Sequence, residues 1–126
     1  MLQILIIDDE PANLMLFSSM LKATGYQVTS SHDPYEGLEL ACSTQPDICI
    51  VDYRLPRMDG LTVIKALRAS PITEHIATIL ITADLITEIK SQAEKAGCNA
   101  ILQTPISRSH FINVIEQLYP TSFDED

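Results

Sequence analysis

The sequence contains no tryptophan, only four glycines among 126 residues, and three cysteines. So few glycines, with neither a P-loop nor a glycine-rich dinucleotide turn, argue against the common nucleotide-binding folds. Cys42, Cys49 and Cys98 are odd in number, far apart and not at metal-ligand spacing, so neither a disulfide framework nor a zinc site is expected. They read as reduced thiols filling the core as small apolar residues. Positive charge is also scarce: eight Lys and Arg face seventeen Asp and Glu, for a net charge of -9. That balance opposes a broad grip on nucleic acid or anionic lipid. No apolar run approaches the roughly 18 residues of a transmembrane helix, and Met1 to Ile7 carries no basic leader before Asp8. The expectation is a cytoplasmic protein that binds neither membrane nor nucleic acid directly.

What remains is a globular composition, 46% hydrophobic and 20% charged. A chain of this length buries about two thirds of its unfolded surface in one core, so a single domain over 1–126 is expected, with 121–126 as an acidic solvated tail. Leu2 to Ile7, Ile48 to Val51 and Ala77 to Ile81 are short, almost wholly apolar runs, as in strands covered on both faces of a parallel sheet. Gln27 to Ser31 and Ala100 to Gln103 complete five strands. Segments of helical period lie between and after them. Pro11 to Ala23 carries Leu14, Phe17 and Leu21 on one stripe, with Gly25 beyond as a stop. Asp33-Pro34 reads as an N-cap with proline in the first turn, opening a helix whose Leu38, Ala41 and Cys42 face inward. Gly60 to Ala69 ends before Pro71, Thr87 to Ala96 ends at Gly97, and Ser107 caps a helix bearing Phe111, Val114, Ile115 and Leu118. This alternation predicts an open, doubly wound α/β domain with a five-stranded parallel sheet and five helices.

Ligands of such sheets bind beyond the carboxyl ends of the strands, where strand order reverses. Here those ends are acidic: Asp8-Asp9-Glu10 after the first strand and Asp52 after the third. If the first and third strands are neighbours, their carboxylates repel and their pKa values rise unless a cation compensates. Hard oxygen ligands of this kind suit Mg2+. A carboxylate beside such an ion can attack phosphorus and form an acyl phosphate, with Asp52 the candidate. Thr82, ending the fourth strand, can donate to a phosphoryl oxygen. Each acid taken singly also fits a cap or turn, Asp9 at the first helix in particular. The combination goes beyond capping.

Three blocks carry a family resemblance: Ile4-Leu5-Ile6-Ile7-Asp8-Asp9-Glu10, Ile50-Val51-Asp52-Tyr53-Arg54-Leu55-Pro56 with Met58-Asp59-Gly60, and Ile81-Thr82-Ala83. Over nearly its whole length the chain resembles the receiver domain of two-component response regulators. The resemblance implies a flavodoxin-like (β/α)5 fold. It also implies that Asp52 takes a phosphoryl group from a histidine kinase or phosphotransfer protein. Asp8 and Asp9 would form the acidic pair at Mg2+, with Asp9, Asp52 and the backbone carbonyl of Arg54 as direct ligands, and Thr82 would be the switch hydroxyl. A downstream protein would bind the face of the fourth helix, fifth strand and fifth helix, and a homodimer is compatible with it.

Two positions depart from the family pattern. Thr104 stands where receivers carry lysine, in Gln103-Thr104-Pro105, and Ile101 stands where they commonly carry Tyr or Phe. Losing a charge-assisted bond costs on the order of 1.5 to 3 kcal/mol of phosphate-dependent bias. The expectation is an intact acceptor with an altered readout; for Ile101, an ordinary edge-strand residue is an equal reading. His32, His75 and His110 share no spacing and read as surface groups. Tyr53 and Arg54 should line the pocket mouth, where bulk slows entry of water to an acyl phosphate. The module would phosphorylate and dephosphorylate itself without turning over a separate substrate. The alternatives are a phosphate-independent interaction domain, marked by Thr104 and Ile101, and a Mg2+-dependent phosphohydrolase. The second is disfavoured by the adjacent acids and by the lack of a cap insertion.

Overall fold

In the computed structural model, which describes residues 1–120, strands and helices alternate five times. They are β1 (Gln3–Ile7), α1 (Pro11–Ala23), β2 (Gln27–Ser31), α2 (Pro34–Thr44), β3 (Ile48–Asp52), α3 (Gly60–Ala69), β4 (Ala77–Thr82), α4 (Thr87–Ala96), β5 (Ala100–Gln103) and α5 (Arg108–Leu118). The acidic tail read at 121–126 lies outside the described residues. All strand pairs are parallel, in the order β2-β1-β3-β4-β5. β1 and β3 are therefore neighbours, and the strand order reverses between them.

The continuous apolar runs are explained by burial on both faces. Leu5, Ile7, Cys49, Val51 and Leu80 pack against α2, α3 and α4, through Ala41, Val63, Ile64, Leu67, Ile89 and Ala93. Their alternates Ile4, Ile6, Ile48, Ile50, Ile79 and Ile81 pack against α1 and α5, through Phe17, Leu21, Phe111 and Ile115. Phe17 and Phe111 meet edge to face, ring centres 5.5 Å apart. This contact joins the two helices of that layer.

Local signals account for most helix ends. Asp33 accepts from the Glu36 amide and Ser107 from the His110 amide, as capping requires. Gly25 and Gly97 take φ of 98° and 88°, conformations that glycine adopts without strain. Gly97 closes α4 directly, whereas Thr24 is the C-cap of α1 and Gly25 follows it.

Cys42 corrects the sequence reading. Pro34, Gly37 and Ala41 form the inward stripe of α2, and one residue further round the helix Cys42 lies exposed. Cys49 is buried as expected and Cys98 only partly so. β3 and β4 also run one residue further than the apolar runs, so Asp52 and Thr82 are themselves the last strand residues.

Candidate functional site

The acids converge because of register. Ile7 lies opposite Val51 across the β1–β3 pair, so the next residues, Asp8 and Asp52, leave the sheet side by side. Carboxylate oxygens of Asp8, Asp9 and Asp52 all lie within 4.8 Å of one another. Their exposures differ: Asp8 is buried, Asp52 half-buried and Asp9 exposed. Neither acid is the N-cap of α1, and Asp8 makes a turn contact instead. Asp8 Oδ1 accepts from the Glu10 amide at 2.9 Å, while the N-cap of α1 is Glu10, which makes no side-chain capping bond.

Packing puts a real electrostatic load on this cluster. Burial, then the charges of Asp8 and Asp9, push Asp52 from 3.8 up to about 7, against the pull of the Tyr53 and Arg54 amides. Asp8 is raised as well, by burial first; the Glu10 amide and the Asn13 side chain oppose the rise, and Asp9 and Glu10 add to it. Among the described residues this is the group of three or more acids, cysteines and histidines close enough to hold a metal ion. Oxygen donors with unrelieved mutual repulsion fit a hard divalent cation.

Close packing fixes the acceptor strand against α3. A Cβ on Gly60 would stand 2.5 Å from the Asp52 carbonyl oxygen and 2.9 Å from Leu80 Cδ1. Only a residue without a side chain admits this approach. Asp59 caps the helix, accepting from the Thr62 amide at 2.8 Å, a signal present in the sequence but not recognised there.

Thr82 is buried on the same rim, and its Oγ1 accepts the Asp84 amide at 3.2 Å. Thr104, half-buried, donates its amide to the Thr82 carbonyl at 3.0 Å, which places this uncharged residue at the end of β4. Ile101 lies on edge strand β5, half-buried against the α2–α3–α4 layer. His32, His75 and His110 are exposed.

Sequence reasoning missed two ion pairs that staple the loop after β3. Arg57 pairs with Asp33 and lies over the Tyr35 ring, 4.9 Å from its centre. Its φ of 69°, at the centre of a tight turn where the Met58 amide donates to the Pro56 carbonyl, aims it at the β2–α2 loop. On the other side Arg54 pairs with Asp84 at 2.9 Å. With Tyr53, Asp84 and Gln103 it lines a cleft of about 630 Å³ beside the acids. No local sequence rule couples residues 24 and 30 positions apart.

Fold and site together define a doubly wound α/β domain with a carboxylate pocket at its topological switch point. Residues 4–116 match the response regulator receiver domain. The polar-differentiation response regulator DivK of Brucella anthropi is 32% identical over 113 residues, covering 90% of this chain and 92% of that one. The receiver domain of a sensor histidine kinase from Pseudomonas aeruginosa PAO1, solved with a magnesium ion coordinated in its active site cleft, is 26% identical, with a TM-score of 0.87 over 95% of this chain and 98% of that one. Chemotaxis protein CheY4 of Vibrio cholerae, 24% identical, shares the fold with a TM-score of 0.90 over 94% of this chain and 98% of its own. The chain belongs to the response regulator receiver domain family.

It is therefore a phosphorelay signalling module rather than a metabolic enzyme, from a family that uses Mg2+ and works with histidine kinases or phosphotransfer proteins. No helix among the described residues is long and apolar enough to cross a membrane.

Proposed function

We propose that this chain is one receiver domain in which Asp52 is the phosphoacceptor, and that Asp8, Asp9, Asp52 and the Arg54 carbonyl form its Mg2+ site. The observation that carries this reading is the meeting of the three carboxylates within 4.8 Å at the switch point, with Asp52 held at about 7 by burial and like charge. When bound, Mg2+ would neutralise charge on the carboxylates and on the transferring phosphoryl group.

The Asp52 carboxylate attacks the phosphorus of a phosphohistidine on a histidine kinase or phosphotransfer protein. An oxygen–phosphorus bond forms as the phosphorus–nitrogen bond breaks, its electron pair staying on the imidazole, which takes a proton from water. The Tyr53 amide, donating to the Ile81 carbonyl at 2.8 Å, holds the chain just past the carboxylate against β4. Thr82 then turns its hydroxyl from Asp84 to a phosphoryl oxygen. A downstream protein reads the face of α4, β5 and α5. Thr104 offers one neutral bond in place of a charged one, and Ile101 has no aromatic ring to turn inward, so the readout differs from that of a lysine-bearing receiver.

The test is intact mass after incubation with a small acyl-phosphate donor, with and without Mg2+, using Asp52→Ala as control. A single Mg2+-dependent phosphoryl adduct absent from the control is expected. An adduct that persists in Asp52→Ala overturns the assignment. No adduct from either the donor or a phosphorylated phosphotransfer protein favours the phosphate-independent interaction domain, the reading that Thr104 supports.

A further inference from the structure

A phosphoryl group on Asp52 poses a charge problem that the rim, as it stands, does not solve. The group brings a charge of about -1.5 to -2, Asp8 and Asp9 lie beside it, and one divalent ion offsets only part of the sum. Thr104 contributes no charge. The cation nearest the acceptor along the chain is Arg54, two residues beyond Asp52, and its side chain lines the adjoining cleft. An arginine two residues along the chain is long enough, when extended, to reach an oxygen carried on Asp52.

At present that guanidinium is engaged elsewhere. Arg54 Nη2 lies 2.9 Å from Asp84 Oδ2, with the two side chains 73% and 62% exposed. Ion pairs this open to water are weak and exchange readily. Asp84 has a second tie, its amide donating to Thr82 Oγ1 at 3.2 Å. Both partners of Asp84 are thus groups that a phosphoryl oxygen would recruit, one a hydroxyl and the other a guanidinium with a forked donor set suited to phosphate. Two residues beyond Asp84, Ile86 is the N-cap of α4 and provides no side-chain capping bond. The entry to α4 is therefore lightly anchored once Asp84 is let go.

We propose that Arg54 is the phosphoryl-anchoring cation of this domain, exchanging Asp84 for the phosphoryl oxygens on Asp52 and thereby releasing the β4–α4 loop. The inference rests on Asp52 as acceptor. It gives a receiver without the lysine a charged route from the phosphoryl group to the start of α4.

The opposite roles of the two partners make the exchange testable. If Arg54 and Asp84 form only a structural clip, Arg54→Gln and Asp84→Asn break the same contact and act in the same direction. If Arg54 changes partners, Asp84→Asn frees it in advance while Arg54→Gln removes it.

The probe is beryllofluoride with Mg2+, titrated into the full chain and followed by amide NMR, with circular dichroism confirming that each variant is folded. Expected are binding several-fold tighter in Asp84→Asn, about tenfold weaker in Arg54→Gln, and partly restored in Arg54→Lys. The Asp84 amide resonance should move on saturation of the parent. Shifts of both variants in one direction, or no change in either, overturn the exchange. A parent chain that binds no beryllofluoride and takes no phosphoryl group overturns the acceptor reading, and the inference falls with it.

Discussion

Replacing Asp52 by Asn should stabilise the Mg2+-free protein, by an amount that grows as pH rises from 3.8 to about 7 and then levels off. The folded state raises Asp52 from 3.8 to about 7, through burial first and the charges of Asp8 and Asp9 second. Between these values the folded chain holds a proton that the unfolded chain has released, so stability falls as pH rises through the window and stays lower above it. The rise from 3.8 to about 7 corresponds to about 4 kcal/mol at full strength. Water on the open side of Asp52 screens the repulsion and brings this to about 2 kcal/mol. Asn is neutral throughout and nearly isosteric with the protonated acid. It should therefore change little near about pH 3 and gain about 2 kcal/mol near about pH 8, or about 6 to 10 °C in Tm for a domain of this size. Thermal unfolding by circular dichroism at both values, with chelator present, measures the difference. Adding Mg2+ should then stabilise the parent by mass action and Asp52→Asn much less. Equal effects of the substitution at both pH values would refute electrostatic strain at Asp52.

Three further substitutions probe the frame around the site. Gly60→Ala places a Cβ 2.5 Å from the Asp52 carbonyl oxygen and should cost about 1–3 kcal/mol in urea unfolding while weakening Mg2+ affinity; stability equal to the parent would contradict the close approach. Arg68, at the opposite end of the sheet, donates to the carbonyls of Glu74, Ile76 and Gly97 and to Asn99 Oδ1. Its replacement by Ala should cost about 2–3 kcal/mol in the same assay and leave Mg2+ affinity unchanged, and a matching loss of Mg2+ affinity would show that the two ends are coupled. Thr104→Lys should tighten beryllofluoride binding about tenfold by supplying a charged donor, and in that background Arg54→Gln should lose most of its effect. An undiminished effect there would show that the two cations act on different groups.

Much of the domain was legible because its signals are local. Short runs such as Ile48–Asp52 are apolar at every position but the last, which only a strand covered on both faces requires, and the stripe of Phe111 and Ile115 follows from helical period. Asp33 and Ser107 announced their helices because a cap is decided within three residues. The candidate acids were legible for a related reason: a charged residue that abruptly ends a buried apolar run marks the sheet edge where ligands bind. Cys42 went the other way, since apolar character alone does not say which flank of a helix a residue occupies once Gly37 and Ala41 have taken the inward stripe.

The sequence by itself determined the strands, the helices and the residues that end at the rim, because spacing and side-chain chemistry over a few residues settle each of these. Tertiary structure decided that β1 and β3 are neighbours, and so that Asp8 and Asp9 meet Asp52, 43 or more positions away. It alone buried Asp8 while leaving Asp9 in water, raised Asp52, and tied Arg54 to Asp84 and Arg57 to Asp33. The reason is physical: charges couple through space and through the water excluded between them, and neither quantity exists until the strands have been ordered and packed.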